Sequence, residues 1–260
     1  MGKKKYDLIC SLGGNCSAAN NLKFRKLRTF SLPFDWTYIL NDKPIYKLVE
    51  GLKDNFENFF KKENLEELKG EEYNPNHREH LQYKDNFTGY YYVNHFLKDF
   101  EKEYDIVYKT QKKRFARFIQ AIEKSKKCLF ILSTSFYIKE DSLLELLNYL
   151  KEAYPKKEFN IVLISFNCEK DENIKTDNLE IRRYRRNWNL YDFNKTNFEW
   201  NFLDDVKINR NFMLNPIFRF LKIKKGCKVE ILPVLPSIFG INLYFLGLKL
   251  NFSLGKIREE

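Results

Sequence analysis

A cysteine with the features of a nucleophile stands near the start of the chain, at Cys16. The apolar run over 6–12 predicts a strand, and the Gly-Gly-Asn run over 13–15 is typical of a tight turn. A helix is predicted to begin at about Cys16 or Ser17, so the thiol lies at a helix N-terminus. Unpaired backbone N–H groups and the positive end of the helix dipole favour the thiolate there, which is the form that attacks carbon.

The turn before Cys16 predicts either an oxyanion hole or a cradle for phosphate. The backbone N–H groups of Gly13, Gly14 and Cys16 could hold an oxyanion, and Asn15 could donate a further hydrogen bond. The same groups could hold a phosphate, although the run lacks the lysine of a Walker A motif. A structural alternative stays open, in which Cys16 is a small residue that lets the helix approach the sheet and the glycines form only a turn.

The chain has three histidines, of which His77 and His80 lie in a polar segment around Pro75. Their i, i+3 spacing could touch a metal, but no third ligand is evident, and a surface loop is the favoured interpretation. We therefore predict no metal site and no cofactor. The third histidine, His95, follows an apolar run that predicts a strand over 90–93.

The composition of the chain indicates which partners and which cellular compartment to expect. The net charge of +11 over 260 residues favours anionic partners, although a solvated, lysine-rich surface is the simpler explanation. Nucleic acid is disfavoured because no zinc-finger spacing or RNA-binding sheet signature accompanies the basic clusters. Five irregularly spaced cysteines indicate a reducing compartment without a disulfide framework. The N-terminus lacks the apolar region of a signal peptide, so we expect a cytoplasmic protein.

The element pattern predicts an α/β protein with a mostly parallel sheet. Apolar strands over 128–133, 159–166 and 179–184 alternate with amphipathic helices, which favours a three-layer Rossmann-like or flavodoxin-like sandwich. Ser133, Asn167 and the turn before Cys16 follow three of the strands, so they should converge on one crevice. We expect one domain over 1–222 with a helical insertion at about 40–90.

Within this domain we predict helices over 44–60 and 105–124 from their spacing of apolar residues. The aromatic, proline-containing stretch 29–39 predicts a loop that runs into a helix. Asp141 or Ser142 is expected to cap the leucine-rich helix that follows it.

The segment 223–260 differs from the rest of the chain. Residues 231–252 are almost uncharged, and two prolines and two glycines exclude a regular spanning helix. Alternating apolar residues predict short strands or a hairpin packed on the domain. The alternative is a peripheral membrane contact, in which Lys222, Lys224, Lys225 and Lys228 face anionic headgroups.

Two motifs at the N-terminal end resemble a known family. The run S-L-G-G-N-C from Ser11 to Cys16 and the run L-R-T-F-S-L-P-F-D-W from Leu27 to Trp36 are similar to a bacterial family of unknown function. That family is described as papain-like cysteine peptidases. Val93-Asn94-His95-Phe96 resembles its downstream F-x-H-D segment, with Phe96 in place of the aspartate. The resemblance covers roughly 6–205.

The resemblance implies a hydrolase or acyl transferase in which Cys16 is the nucleophile and His95 the general base. A third group should orient the imidazole, and Asp35 or Asp99 could take the place of the missing aspartate. The family description also implies a papain-like α+β fold as the alternative architecture. The substrate would be a small molecule, a peptide or a glycan, with an anionic one favoured by the charge of the chain.

A second hypothesis comes from another class of function. Short runs at Phe239 and Leu246 are similar to C-terminal tails of bacterial surface-polysaccharide synthesis proteins. They suggest a protein that binds or processes an anionic glycan or nucleotide-sugar without covalent catalysis, at the same crevice and at the periphery of the inner membrane.

Overall fold

The structure is a computed structural model that describes residues 3–69, 79–185 and 198–209, together with the backbone of three strands between 228 and 253. Internal contacts divide the chain into two units, 1–210 and 211–260. The strands of the first unit are β1 Lys4–Tyr6, β2 Leu8–Ser11, β3 Thr37–Tyr38, β4 Leu65–Glu67, β5 Leu81–Asp85, β6 Tyr91–Phe96, β7 Lys127–Thr134, β8 Glu158–Ser165, β9 Glu172–Lys175, β10 Leu179–Arg183 and β11 Val206–Ile208. Its α-helices are α1 Ser17–Phe24, α2 Lys43–Lys53, α3 Phe100–Lys124 and α4 Glu140–Ala153. The described residues of this unit also include two 3-10 helices, Lys62–Asn64 and Phe198–Asp205.

The described elements form a mixed α/β structure with several sheets. The largest sheet has five strands in the order β2-β7-β8-β10-β9, and only β9 runs antiparallel to its neighbour. A parallel pair joins β1 to β11, and a four-stranded antiparallel sheet has the order β3-β6-β5-β4. The predicted α/β class with a mostly parallel main sheet is confirmed, whereas the Rossmann-like assignment stays a prediction.

Strands β2, β7 and β8 of this sheet are buried on both faces, which explains why they are almost continuously apolar. In β7, Cys128, Phe130 and Leu132 face one cluster, whereas Leu129 and Ile131 face another. The first cluster also contains apolar side chains of α2, α3 and α4, and the second contains those of α1 and the Phe198–Asp205 helix. The alternation along each strand therefore assigns these elements to opposite faces of the sheet.

Two local predictions are wrong at their boundaries, and the backbone explains the first of them. The helix predicted over 44–60 ends at Lys53 because Asn55 and Phe56 adopt φ values of 57° and 60°. The N–H of Phe56 there bonds to Asp54 Oδ1 at 3.0 Å. The stretch 29–39 runs into β3, not into a helix. The segment 40–90, predicted as a helical insertion, contains α2 but also β4 and β5, and 70–78 lie outside the described residues.

Two helix starts also differ from the predictions. The helix predicted from Asp105 begins at Phe100, because Asp99 caps it and Glu103 folds back to accept from the N–H groups of Leu97 and Lys98. In α4 the N-cap is Lys139, and neither Asp141 nor Ser142 holds that position.

A buried ion pair organises the loop that leads into β3. Asp35 Oδ2 lies 2.7 Å from Arg28 Nη2 and accepts a hydrogen bond from the Leu32 N–H at 2.8 Å. Burial raises the pKa of Asp35, although Arg28 and the Leu32 N–H oppose the rise. The two contacts fold the stretch 28–35 back on itself, so they fix where Trp36 and Tyr38 leave the loop.

The second unit contains three antiparallel strands, β12 Lys228–Pro233, β13 Phe239–Phe245 and β14 Leu248–Ser253, in that order. Lys222, Lys224 and Lys225 lie outside the described residues, as do the side chains of the strands, so the membrane contact of this segment stays a prediction. In the part of the chain that the structure describes, no helix has the length and hydropathy needed to cross a bilayer.

We predict that Arg28→Ala lowers the free energy of unfolding by about 3 kcal/mol, because it leaves the Asp35 carboxylate buried without its cation. Chemical denaturation at pH 7 measures the change. Arg25→Ala is the matched control, since Arg25 pairs with Asp204, whose side chain is 61% exposed. Its effect should stay below about 1 kcal/mol. Equal losses in the two variants would contradict a special role for the Arg28–Asp35 pair.

Candidate active site around Cys16

The turn before Cys16 brings the ends of β2 and β7 into direct backbone contact. Gly13 and Gly14 have φ values of 93° and 95°, which residues with a side chain rarely adopt. A Cβ on Gly14 would lie 2.1 Å from the carbonyl oxygen of Ser133, and one on Gly13 would lie 2.4 Å from Thr37 Oγ1. The Ser133 N–H donates to the Gly13 carbonyl at 3.3 Å. Both glycines are therefore required by conformation and by space.

Cys16 lies at the N-cap of α1, at the carboxyl end of β2, with only 7% of its surface exposed. Its Sγ is 3.8 Å from the hydroxyl of Tyr38 in β3. Burial raises the pKa of the thiol, whereas the bonds from Tyr38 and from the backbone N–H of Cys16 itself lower it. The net direction is upward.

This balance corrects the predicted thiolate. The backbone N–H of Cys16 does lower the pKa of the thiol, in the direction expected at a helix N-terminus. Loss of hydration is the larger effect because the charged form has almost no contact with water. The resting side chain at neutral pH is therefore the protonated thiol, and it needs a base to become a nucleophile.

Two buried polar atoms near the thiol have no hydrogen-bond partner among the described residues. One is Nδ2 of Asn15 and the other is Oγ of Ser133. Asn15 Oδ1 accepts from the Ser17 N–H at 2.9 Å, which fixes the direction of the amide and leaves its NH₂ group to donate elsewhere. The Gly13 N–H is already taken by Ser11 Oγ at 3.0 Å.

His95 lies in β6 and packs among aromatic rings. Its ring centroid is 5.0 Å from that of Tyr92 and 6.1 Å from that of Phe60. Nδ1 is buried, and no hydrogen bond reaches it from the described part of the chain. Burial lowers the pKa of His95 to about 3, with smaller contributions from the positive charges of Arg114 and His80. The imidazole is therefore neutral at pH 7.

Neither predicted orienting acid has a hydrogen bond to His95 within the described ranges. Asp35 is held by Arg28 and the Leu32 N–H. Asp99 caps α3, accepts from the Lys102 N–H at 3.2 Å and is 40% exposed in its side chain. Each carboxylate thus has a structural use, and its proposed role beside the imidazole stays a prediction.

Cys16 and His95, the residues of the predicted dyad, both lie near the segment 36–38, but no hydrogen bond between them is found among the described residues. Tyr38 contacts Cys16, and Trp36, two residues earlier, lines a cavity together with His95. Two residues of extended chain span at most about 7 Å. No hydrogen bond links Cys16 to His95 in the portion of the protein described.

Sequence reasoning missed three residues: Tyr38, Gln111 and Arg114. Tyr38 contacts the sulfur only because β3 is placed beside the turn, and no local pattern signals this. Gln111 and Arg114 line the cavity with His95. Their spacing from Val107, at i, i+4 and i+7, puts them on one face of α3 and is a signal that could have found them.

Neither a disulfide bond nor a metal-binding cluster is found among the described residues. Cys10, Cys16, Cys128 and Cys168 are free thiols, and Cys227 lies outside the described residues. Among residues 3–69, 79–185 and 198–209, no three His, Cys, Asp or Glu side chains are grouped so that they could hold a metal ion.

Comparison with family models decides the relationship that the motifs suggested. The model of a family described as "Putative papain-like cysteine peptidase" matches residues 7–169, which is more than half of the chain. The protein belongs to this family. The matched region of this papain-like family member contains Cys16 and His95, together with the whole of α3. Searches of curated proteins and of solved structures returned no match.

We predict that Tyr38→Phe raises the pKa of Cys16 further, because it removes the hydroxyl whose bond to the sulfur lowers that pKa. The pH dependence of alkylation by iodoacetamide, followed at Cys16 by peptide mass spectrometry, measures the shift. Tyr137→Phe is the control, because Tyr137 is 65% exposed and has no contact with the thiol. An unchanged apparent pKa in Tyr38→Phe would show that the contact does not influence ionisation.

We also predict that His95 makes this family member less stable in mild acid. With a folded pKa of about 3 and an unfolded pKa near 6.5, the folded state binds fewer protons between these values. The stability is therefore complete above pH 6.5 and falls as the pH drops, by up to about 2 kcal/mol at pH 5. His95→Gln cannot titrate and should lose less stability between pH 7 and pH 5. Parallel urea denaturation curves at both pH values test this, and identical pH profiles would contradict the lowered pKa.

Proposed function

We propose that the protein is a cysteine-dependent hydrolase of the papain-like type, with Cys16 as nucleophile and His95 as general base. The observation that carries the proposal is the family match over 7–169, which includes the strand-turn-helix junction of Cys16. Asn15 Nδ2, a buried amide donor with no hydrogen-bond partner in the described part of the chain, lies in the residue before the thiol. A nucleophile beside a free donor is the combination that acyl transfer needs.

In the proposed reaction, Cys16 Sγ attacks the carbonyl carbon of the substrate and its proton passes to the neutral imidazole of His95. The negative charge that develops on the carbonyl oxygen accepts hydrogen bonds from Asn15 Nδ2 and from the backbone N–H groups of Gly14 and Cys16. The imidazolium then protonates the leaving group, and an acyl thioester forms on Cys16. Water, deprotonated by His95, releases the carboxylic acid and restores the thiol.

The protonation states of the resting site determine what this scheme requires. Because the thiol and the imidazole are both neutral, proton transfer accompanies attack, and no ion pair precedes it. His95 must come within hydrogen-bond reach of the sulfur in the substrate complex, since catalytic contacts often tighten only when substrate binds. Tyr38 contacts Cys16, and Trp36 lines the cavity with His95. The segment 36–38 is therefore the element through which bound substrate would bring Cys16 and His95 together.

The acceptor of the acyl group separates the hydrolase from the acyl transferase that was the other prediction. The same thioester transfers to water in the first case and to an amine or alcohol in the second. We also propose that the main sheet has a Rossmann-like arrangement. The acyl-transfer chemistry at Cys16 does not depend on this arrangement. The anionic-glycan alternative rests on the sequence of the tail alone.

We expect p-nitrophenyl acetate to acetylate Cys16, because this ester needs only a nucleophile and an oxyanion site. Intact-protein and peptide mass spectrometry should show one acetyl group on Cys16, accompanied by a burst of p-nitrophenol. Cys16→Ala should abolish the burst. His95→Gln should slow acetylation by about 10²-fold or more, the usual contribution of a general base.

Cys168→Ala is the matched control, since Cys168 is the most exposed of the described cysteines and should react first if exposure alone decides. The burst should persist in this variant. Acetylation that follows exposure, with Cys168 modified before Cys16 and no effect of His95→Gln, would overturn the proposed function. Thermal unfolding of each variant verifies that it is folded.

A further inference from the structure

A cavity of about 460 Å³ opens beside α3. This volume is within the range of about 300–1,000 Å³ that small-molecule sites occupy. Its lining includes Trp36, His95, Ile106, Val107, Gln111 and Arg114. The apolar members come from the loop before β3 and from the first half of α3, whereas the polar members, which also include Asn94 and Thr110, come from β6 and from the following turns of α3. The cavity therefore has both apolar and polar lining residues.

Some of the buried polar atoms that line the cavity have no hydrogen-bond partner within the described chain, which is rare in folded proteins. Gln111 is 1% exposed, and neither its Nε2 nor its Oε1 has a hydrogen-bond partner among the described residues. Folded proteins rarely leave a buried amide without partners, so its retention points to a partner that is supplied from outside. His95 Nδ1 is a second buried atom in the same lining without a partner in the described chain.

Arg114 supplies the charge. Its guanidinium is half-buried, and no carboxylate in the described structure lies within ion-pair distance of it. The nearby Asp35 is instead paired with Arg28 at 2.7 Å. Burial lowers the pKa of Arg114, the negative charge of Asp35 opposes this change, and the charges of Arg28 and Arg117 add to it. An arginine that is partly desolvated and unpaired is well suited to bind a planar anion through two parallel hydrogen bonds.

We propose that this cavity binds a carboxylate next to an aliphatic group, with the carboxylate on Arg114 and Gln111 and the aliphatic part against Val107 and Trp36. Among the described lining residues Arg114 is the one cation and the other polar groups are neutral, which matches a singly charged carboxylate. The ligand class is an N-acylated amino acid or the C-terminal residue of a peptide. That this ligand is part of the substrate of Cys16 rests on the proposed function.

Binding of a carboxylate would also change the neighbouring base. The positive charge of Arg114 is one cause of the lowered pKa of His95, and His80 adds to it. An anion bound to Arg114 offsets that charge, so the imidazole should become more basic when the cavity is occupied. Substrate would then bind and strengthen the base in the same step.

Equilibrium binding to the full chain tests the proposal, with Cys16→Ala as the background so that no chemistry intervenes. The probes are N-acetyl-L-leucine and N-acetyl-L-leucine amide, which differ only in the charge of the terminal group. We expect the acid to bind at least tenfold more tightly than the amide in NMR titrations, and to shift the ring resonances of His95, which are assigned by their loss in His95→Gln.

Arg114→Gln should remove the preference for the acid, and Gln111→Leu should weaken it while filling a similar volume. Lys113→Gln is the matched control, since it removes the same charge from the adjacent, exposed position on α3 and should leave the affinity unchanged. Equal affinities for acid and amide, or an undiminished preference in Arg114→Gln, would overturn the proposal. Because these measurements do not need the thiol, they fail independently of the acetylation of Cys16. Binding without acetylation would keep the carboxylate site and reject the hydrolase.

Discussion

The close approach of the Gly14 backbone to the carbonyl of Ser133 is the constraint on which the candidate site depends. A Cβ on Gly14 would lie 2.1 Å from that oxygen, which is too close for any side chain. Because glycine has no Cβ, the chain leaving β2 can lie directly against the end of β7. The parallel register of the two strands, with Ser11 opposite Ile131, leads the turn to this point. Cys16 and Asn15 consequently lie at the carboxyl edge of the main sheet, where ligands of α/β proteins commonly bind.

Burial dominates the electrostatics of this region. The helix terminus and the Tyr38 hydroxyl both favour the thiolate of Cys16, yet desolvation outweighs them. The same effect keeps His95 neutral, because burial beside Phe60 and Tyr92 disfavours the charged imidazolium. The proposed nucleophile and the proposed base are therefore both uncharged at neutral pH, and the proposed reaction develops charge only when substrate is bound.

Two aspartates show how structure and function compete for the same residue type. Asp35 stands in a motif next to an aromatic run, but its carboxylate pairs with Arg28 and shapes the loop before β3. Asp99 follows His95 closely in sequence, but it caps α3 and starts that helix five residues earlier than the apolar pattern indicates. A carboxylate can orient an imidazole or cap a helix, and the choice depends on contacts from distant parts of the chain.

Much of the framework could be predicted from the sequence. The β2 strand, the glycine turn, the start of α1 at Ser17 and the parallel strands β7, β8 and β10 all depend on local patterns, since periodicity and turn residues act over a few positions. Helix ends were less predictable because the interruption after Lys53 depends on positive φ values at residues that usually avoid them.

The sequence by itself determined the α/β class, the family motifs and the position of Cys16 between a strand and a helix, because these depend on short-range propensities. The tertiary structure alone decided that Tyr38 would reach the sulfur, that the thiol and His95 would be desolvated, and that Gln111 and Arg114 would share a cavity with His95. The physical reason is that packing between segments far apart in the chain determines which groups are buried and which partners they meet. No local sequence pattern specifies which groups lose their contact with water.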